Sequence, residues 1–237
     1  MPPSIRGICF DLFNTLVNVG QVPPAVGGVT ADILGVDRAR WREACFGDQH
    51  EIRRPSNAYD NLRRMARALD PTLPEARIRT AVEHRQRRFD HALRHVPPSV
   101  LTVLTTLREA GHRLALVSNA STAEVRAWPD SPLAPLFDAV VFSCECGAAK
   151  PEPAIYRRAL ARLELDAGAC LFVGDGGSEE HRGAHALGLH PLWLTEHVAP
   201  DRQARLAAEL APWIRGRIAR LTDLPAWLAA YAGERTG

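Results

Sequence analysis

The sequence has little lysine, few cysteines, no long apolar run and almost no excess of either charge. Lysine and arginine together number 29 against 27 aspartates and glutamates, which leaves a formal net charge of +2. The arginines are spread along the chain and not massed in one block, so nucleic acid is not an expected partner. No apolar stretch is long enough to span a bilayer and no secretory signal precedes the first apolar segment, so no membrane partner is expected either.

The five cysteines are an odd number, and two of them lie inside apolar segments that resemble strands. This usage is typical of a reducing compartment, and we expect a cytoplasmic location. Cys144 and Cys146 lack a second pair at zinc spacing, which argues against a zinc site. The 237 residues are 46% hydrophobic and 24% charged, as in globular proteins with one large domain or a core plus a smaller domain. We expect a small-molecule substrate and a monomer or homodimer.

Short apolar segments alternate with helical patterns from residue 97 onwards. Strands are predicted at 5–10, 113–117, 139–142, 170–173 and 189–194, and helices at 98–110, 150–163 and 176–187. Such alternation predicts an α/β fold with a doubly wound parallel sheet. Residues 195–237 are predicted to form one or two surface helices.

The segment between the first two predicted strands has helical patterns only. Leu62, Met65, Ala66 and Leu69 follow the i, i+3, i+4, i+7 spacing of one helix face. Glycine and proline are frequent in residues 17–30, which indicates a boundary. We therefore predict a core built from residues 1–18 and 97–237, and a small helical domain over residues 19–96.

Polar residues stand where three of the predicted strands end. Asp11 follows the first strand, Ser118 and Asn119 end the second, and Asp175 follows the fourth. Carboxyl ends of parallel strands meet at one edge of a sheet, where ligands of α/β proteins bind. The alternative is that Asp11 and Asp175 cap turns or helices and that Ser118 and Asn119 form an ordinary turn.

Four segments resemble, in order and approximate spacing, the motifs of the haloacid dehalogenase (HAD) superfamily of hydrolases. They are residues 11–15 (DLFNT), 118–119 (SN), 150–153 (KPEP) and 174–180 (GDGGSEE). The resemblance covers residues 5–194. It implies a Rossmann-like core, with the helical segment 19–96 acting as a cap domain that closes over the site.

The resemblance also implies roles for five of these residues. Asp11 is expected to attack the substrate and form a covalent aspartyl intermediate, which water hydrolyses. Thr15 is expected to orient the Asp11 carboxylate. Ser118 and Asn119 are expected to donate to the transferring group, and Lys150 to neutralise negative charge on the nucleophile and the transition state.

A magnesium site is implied by the acidic residues. Asp175 is expected to hold Mg²⁺ together with Asp11 and the main-chain carbonyl of Phe13. Glu180, five residues further on, is expected to bind the metal through water or to orient Lys150. Mutual repulsion of Asp11, Asp175 and Glu180 favours a cation among them.

Phe13 departs from the phosphatase pattern of the superfamily. Phosphatases usually carry a second aspartate here, two residues after the nucleophile, as a general acid and base. Dehalogenases and phosphonate hydrolases lack it, while dehalogenases usually replace the residue corresponding to Asp175 by a small neutral one. We favour Mg²⁺-dependent hydrolysis of a small phosphorylated metabolite. The alternatives are a metal-free 2-haloacid dehalogenase-like hydrolase and a non-catalytic binding protein.

Substrate contacts are predicted for Phe13, Arg42 and Asn119. Arg42 lies in the region where dehalogenases place an arginine for the substrate carboxylate, and an arginine fork recognises carboxylate or phosphate. A second polar group comprises His50, Arg53, Arg54 and Asn57. Tyr156 follows the lysine motif as in dehalogenases, although on a helix it is equally a core residue.

Overall fold

A six-stranded parallel sheet forms the centre of the computed structural model, which describes residues 5–233. The strands run in the order β3-β2-β1-β4-β5-β6. They are β1 (Gly7–Phe10), β2 (Arg113–Ser118), β3 (Ala139–Phe142), β4 (Cys170–Gly174), β5 (His190–Leu194) and β6 (Gly216–Ile218). The chain adds strands on one side of β1 and then on the other, which confirms the doubly wound parallel sheet of a Rossmann-like α/β core.

Ten α-helices in residues 5–233 surround the sheet or precede its second strand. They are α1 (Thr30–Leu34), α2 (Arg38–Ala44), α3 (Ala58–Leu69), α4 (Glu75–Arg94), α5 (Pro98–Glu109), α6 (Ser143–Cys146), α7 (Pro153–Leu163), α8 (Glu180–Ala186), α9 (Pro200–Leu210) and α10 (Leu224–Gly233). Within the described residues, no helix combines the length and the hydropathy needed to cross a membrane.

Apolar side chains cover both faces of the sheet. Alternate residues of a strand point to opposite faces: Ile8 and Phe10 pack with α5 in one buried cluster, and Cys9 packs with α7 in another. Burial on both sides explains why the strands read as nearly continuous apolar runs. It also explains why five of the six strands were predicted from the sequence.

Helices α1 to α4 all lie between β1 and β2, and they have an apolar cluster of their own. Leu34, Leu62, Met65 and Ile78 are almost completely buried in it. The predicted apolar face of α3 is part of this cluster. A separate cluster is what a small helical domain needs in order to hold its shape, although the domain limits at residues 18 and 97 stay a prediction.

The prediction for the C-terminal segment was wrong in two respects. Residues 216–218 form the edge strand β6, which pairs with β5, whereas only surface helices were predicted. Three residues are too few for a period-2 pattern to emerge. Leu224 and Leu228 of α10 are also buried against the sheet, so this helix is part of the core.

Candidate active site

The carboxyl ends of the three neighbouring strands β2, β1 and β4 bring the predicted polar residues together. Strand β1 pairs with β2 on one side and β4 on the other, and the amide of Asp11 donates to the carbonyl of Val173 (2.9 Å). This is the point at which the strand order reverses, where ligands bind in doubly wound sheets.

A tight turn holds the carboxylate of Asp11. The Thr15 hydroxyl donates to Oδ2 of Asp11 at 3.0 Å, as the sequence predicted for an orienting residue. Asn14 has a φ of +62°, a left-handed conformation that asparagine tolerates better than most residues. The turn thus points a buried carboxylate, 6% exposed, along the sheet edge.

Lys150 is the only lysine in the sequence, and it lies against this carboxylate. Its Nζ donates to Oδ1 of Asp11 (2.5 Å) and to Oε2 of Glu180 (2.6 Å). Burial disfavours the ammonium ion, but the two carboxylates outweigh burial and raise the pKa of Lys150. Lys150 is therefore a permanent positive charge beside Asp11.

Asn119 and Ser118 differ in what they contact. The Asn119 side chain accepts from the main-chain amide of Lys150 (2.7 Å) and donates to its carbonyl (3.0 Å), so it holds the loop that carries Lys150. The Ser118 side chain is fully buried, and its hydroxyl has no hydrogen-bond partner among the described residues. A buried hydroxyl without a partner is costly, and a ligand oxygen would satisfy it.

The acidic residues after β4 are held by main-chain amides. Gly177 donates to Oδ1 of Asp175 (2.9 Å), and Gly176 donates to Oε1 of Glu180 (3.0 Å). Gly176 has a φ of +92°, a conformation that glycine adopts without strain. The glycine-rich sequence after β4 is thus what lets the loop fold around two carboxylates.

Tyr156 is a core residue that also contacts the site. It is almost completely buried, and its hydroxyl donates to the main-chain carbonyl of Glu180 (2.8 Å). Trp193 makes a comparable bond to the carbonyl of Asp175 (3.0 Å). Both rings fix the backbone from which the acidic side chains project.

Three carboxylates outnumber the cations of the site, which are Lys150 and the more distant Arg202, 3.9 Å from Asp175. Oxygen atoms of Asp11, Asp175 and Glu180 lie within 4.8 Å of one another, and all three residues are buried. Burial and the neighbouring charge of Asp11 raise the pKa of Asp175. The pKa of Glu180 is raised to about 8, mainly by burial. The charges of Asp11 and Asp175 also raise it, and the charge of Lys150 lowers it. A hard divalent cation with oxygen ligands fits this donor set.

Phe13 has no group that could transfer a proton. The ring is partly buried and contacts Phe89 of α4 edge to face, with 5.2 Å between ring centroids. It therefore joins the turn after β1 to the helical segment above it. Its carbonyl as a metal ligand stays a prediction.

A cavity of about 260 Å³ opens above these residues. Its lining includes the charged residues Asp11, Lys150, Asp175 and Glu180, Phe13 of the turn after β1, and Phe46 and Phe89 of the helical segment. Arg42 does not line this cavity. It is exposed on α2 and borders a wider outer cleft of about 950 Å³ with Arg202, and its role in substrate binding stays a prediction.

Sequence reasoning missed an ionic cluster on the cavity wall, formed by His50, Arg85 and Glu124. Arg85 of α4 donates to Glu124 at 2.6 Å, and Nε2 of His50 lies 3.4 Å from the same carboxylate. One signal was available: Arg85 falls on the apolar face of α4 that carries Ile78 and Phe89. A charged residue at such a position predicts a buried partner.

The other members of the second polar group separate in the structure. Arg53 pairs with Glu152, Arg54 pairs with Glu51, and Asn57 caps α3. Only His50 reaches the cavity. The four residues lie close together in the sequence, and this closeness did not predict their contacts.

We expect Glu124→Gln to lower the free energy of unfolding by roughly 3 kcal/mol or more, because it leaves Arg85 largely buried without its counter-charge.

Glu124 outweighs burial in raising the pKa of His50. The stabilisation from this pair is therefore complete below about pH 6.5 and is lost as the pH rises through the raised pKa. Urea unfolding from pH 6 to 9 measures it. If the free energy of unfolding of His50→Gln falls with pH as steeply as that of the wild type, this assignment is contradicted.

Known proteins similar to this chain include both phosphatases and dehalogenases. A glyceraldehyde 3-phosphate phosphatase of Pyrococcus abyssi is 28% identical over 201 residues, which cover 80% of this chain and 81% of that protein. An (S)-2-haloacid dehalogenase of Pseudomonas sp. (strain YL) is 30% identical over 196 residues, 80% and 82% of the two chains. A HAD phosphatase structure from Thermococcus onnurineus has the same fold, with a TM-score of 0.61, 23% identity and coverage of 94% and 97%. Residues 5–188 match the family of haloacid dehalogenase-like hydrolases, and the chain belongs to that family.

Proposed function

We propose that this chain is a Mg²⁺-dependent phosphohydrolase of a small phosphorylated molecule, with Asp11 as nucleophile. The observation that carries the proposal is the convergence of Asp11, Asp175 and Glu180 within 4.8 Å around a single lysine. A metal-free hydrolase has no use for Asp175, because a third buried carboxylate only adds repulsion. With a divalent cation the same carboxylate becomes a ligand.

Asp11, Lys150 and Thr15 have separate roles in the proposed reaction. The Asp11 carboxylate attacks phosphorus, the bond from phosphorus to the leaving oxygen breaks, and that oxygen takes the electron pair. Water then attacks phosphorus, the bond to Asp11 breaks, and the carboxylate is regenerated with release of phosphate. Lys150 stabilises negative charge at both stages, and Thr15 keeps the carboxylate in one orientation.

The metal would be held by Asp11 and Asp175, with Glu180 beside them, and the main-chain carbonyl of Phe13 is the further predicted ligand. Bound there, it would supply charge neutralisation to the phosphate and the nucleophile. Ser118 has the unpartnered buried hydroxyl in this region, and we propose that it donates to a phosphate oxygen.

Metal binding is tested by thermal unfolding. At about 100 times the dissociation constant, Mg²⁺ is expected to raise Tm by roughly 5–10 °C, since binding then stabilises by about 2.7 kcal/mol. Asp175→Asn should lose this shift, because it removes a ligand, and should unfold no earlier than the wild type in a chelator, because it also removes a repelled charge. Asp201→Asn, an exposed aspartate of α9, is the matched control. Equal shifts in all three proteins would contradict the proposed site.

A second candidate function is the hydrolysis of a carbon–halogen bond, and the observation that favours it is Phe13. A halide leaves as a stable anion and needs no proton, so this reaction tolerates phenylalanine at that position. The (S)-2-haloacid dehalogenase similarity is compatible with it. Halide release from 2-haloacids in a chelator would support this candidate against the first, and absence of release across a panel would remove it.

A further inference from the structure

The cavity beside Asp11 contains no unengaged proton donor at the position where phosphatases need one. Phe13 occupies that position. Nζ of Lys150 donates to Asp11 and to Glu180. The ring nitrogens of His50 lie against a main-chain carbonyl (2.8 Å) and the carboxylate of Glu124 (3.4 Å). Among the cavity-lining residues that the structure describes, the lysine and the imidazole are thus already committed.

Apart from Asp11 and Asp175, the proposed metal ligands, the carboxylates that line the cavity are engaged as hydrogen-bond acceptors. Glu180 accepts from Lys150 through one oxygen and from a main-chain amide through the other. Glu124 accepts from Arg85 and from the main-chain amide of Ser121. Both side chains are thus held by bonds within the protein, and neither occupies the position of Phe13. Phenylalanine at position 13 supplies no proton, which favours a leaving group that departs as a stable anion.

Three aromatic side chains line the same cavity as Asp11. Phe13 and Phe89 are in edge-to-face contact, and Phe46 lines the same cavity with 62% of its surface exposed. A large apolar residue that remains this exposed beside a cavity is well placed to cover a ligand. The ionic cluster of His50, Arg85 and Glu124 is paired within itself and offers little to a second anionic group.

The cavity beside Asp11 has room for a small ligand. Its volume of about 260 Å³ lies just below the usual range of small-molecule pockets, roughly 300–1,000 Å³. A single six-membered ring with a phosphate is a suitable size for this cavity, and a larger ligand would extend into the outer cleft, which shares Phe46 and Lys150 with it.

We infer that the substrate is the phosphate monoester of a phenol, with its ring among Phe13, Phe46 and Phe89 and its phosphate beside Asp11. This inference rests on the proposed phosphohydrolase function. A phenol ionises near pH 10, as the tyrosine side chain does, and is far more acidic than an aliphatic alcohol. When Asp11 attacks, the phenolate leaves with the electron pair of the broken P–O bond and takes its proton from solvent. The absence of an acid at Phe13 and the aromatic wall are thus explained together.

The test compares phosphate release with Mg²⁺ from three esters. Phenyl phosphate has a ring and a good leaving group, benzyl phosphate has a ring and a poor one, and acetyl phosphate has a good leaving group and no ring. A positioned general acid contributes about 10²–10⁴-fold, so we expect kcat/KM for phenyl phosphate to exceed that for benzyl phosphate by at least about 10²-fold. Values within a few-fold of each other would overturn the inference and leave the proposed function intact. No release from any ester would overturn the proposed function itself.

Two variants separate the leaving group from the ring. Phe13→Asp should raise the turnover of benzyl phosphate and thereby lower the ratio of kcat/KM for phenyl phosphate to that for benzyl phosphate. Phe13→Leu should leave this ratio unchanged. A ratio that is the same in both variants would contradict the assignment of Phe13. Phe46→Ala should lower kcat/KM for phenyl phosphate by roughly three- to tenfold and affect acetyl phosphate several times less. Equal losses for both esters would show that Phe46 does not contact the phenyl ring of the substrate.

Discussion

Asp11→Asn is expected to lower kcat by about 10⁴-fold or more, the scale on which removal of a nucleophile acts. The amide keeps the shape of the side chain and can still contact Thr15, but it cannot attack phosphorus. The substitution also removes one of three crowded carboxylates, so the variant should be at least as stable as the wild type. Activity and stability are therefore predicted to change in opposite directions.

Steady-state assays with phenyl phosphate and urea unfolding of the same preparations check this prediction. Asp60→Asn is a suitable control, because Asp60 is an exposed residue of α3 and does not line the cavity. Activity within tenfold of the wild type in Asp11→Asn would show that another group is the nucleophile. Loss of folding in Asp11→Asn would show that the carboxylate has a structural role instead.

Lys150→Met is expected to remove activity by about 10³-fold and, unlike Asp11→Asn, to lower the free energy of unfolding by roughly 3–5 kcal/mol at neutral pH. Lys150 is 5% exposed, and its ammonium is shared by Asp11 and Glu180. Without it, the three buried carboxylates repel one another and keep only the more distant charge of Arg202, 3.9 Å from Asp175. Lys150→Arg restores the charge with a different geometry, and we expect it to recover stability more than activity.

The pH dependence of the Lys150→Met deficit follows from the carboxylate pKa values. Burial and mutual repulsion raise the pKa of Asp175 and of Glu180 already in the wild type, and loss of Lys150 raises them further. Groups with raised pKa values stabilise the fold at pH values below their unfolded pKa, near 4, and this stabilisation is lost as the pH rises through the folded values. The deficit should therefore shrink from pH 8 to pH 5, and urea unfolding across this range measures it. A deficit that is constant with pH would contradict the charge assignment.

The parts of the site that could be predicted from the sequence are those defined by local pattern. Asp11 and Asp175 stand where apolar runs end, and neighbouring parallel strands carry such residues to one edge. The contact between Lys150 and Asp11 spans 139 positions, and no periodicity predicts a contact at that distance. It was predicted only because the motif order resembles a known superfamily.

The residues that escaped prediction are paired across elements that the sequence does not connect. Glu124 follows β2, Arg85 belongs to α4 and His50 lies in a loop, so their contact depends on how the helical segment rests on the sheet. The edge strand β6 escaped for a different reason, because a three-residue strand acquires its structure from pairing with β5. In both cases tertiary contact, and not local propensity, determines the outcome.

Covalent trapping on Asp11 tests the proposed reaction most directly. Water attack on the aspartyl phosphate lacks a general base at Phe13, so this intermediate should accumulate during turnover of phenyl phosphate. Acid quench followed by peptide mass spectrometry is expected to find one phosphoryl group on the peptide that contains Asp11, with Mg²⁺ present and not in a chelator. Phosphate release with that peptide unmodified, or attachment of a substrate carbon to Asp11 from a 2-haloacid in a chelator, would contradict the proposal.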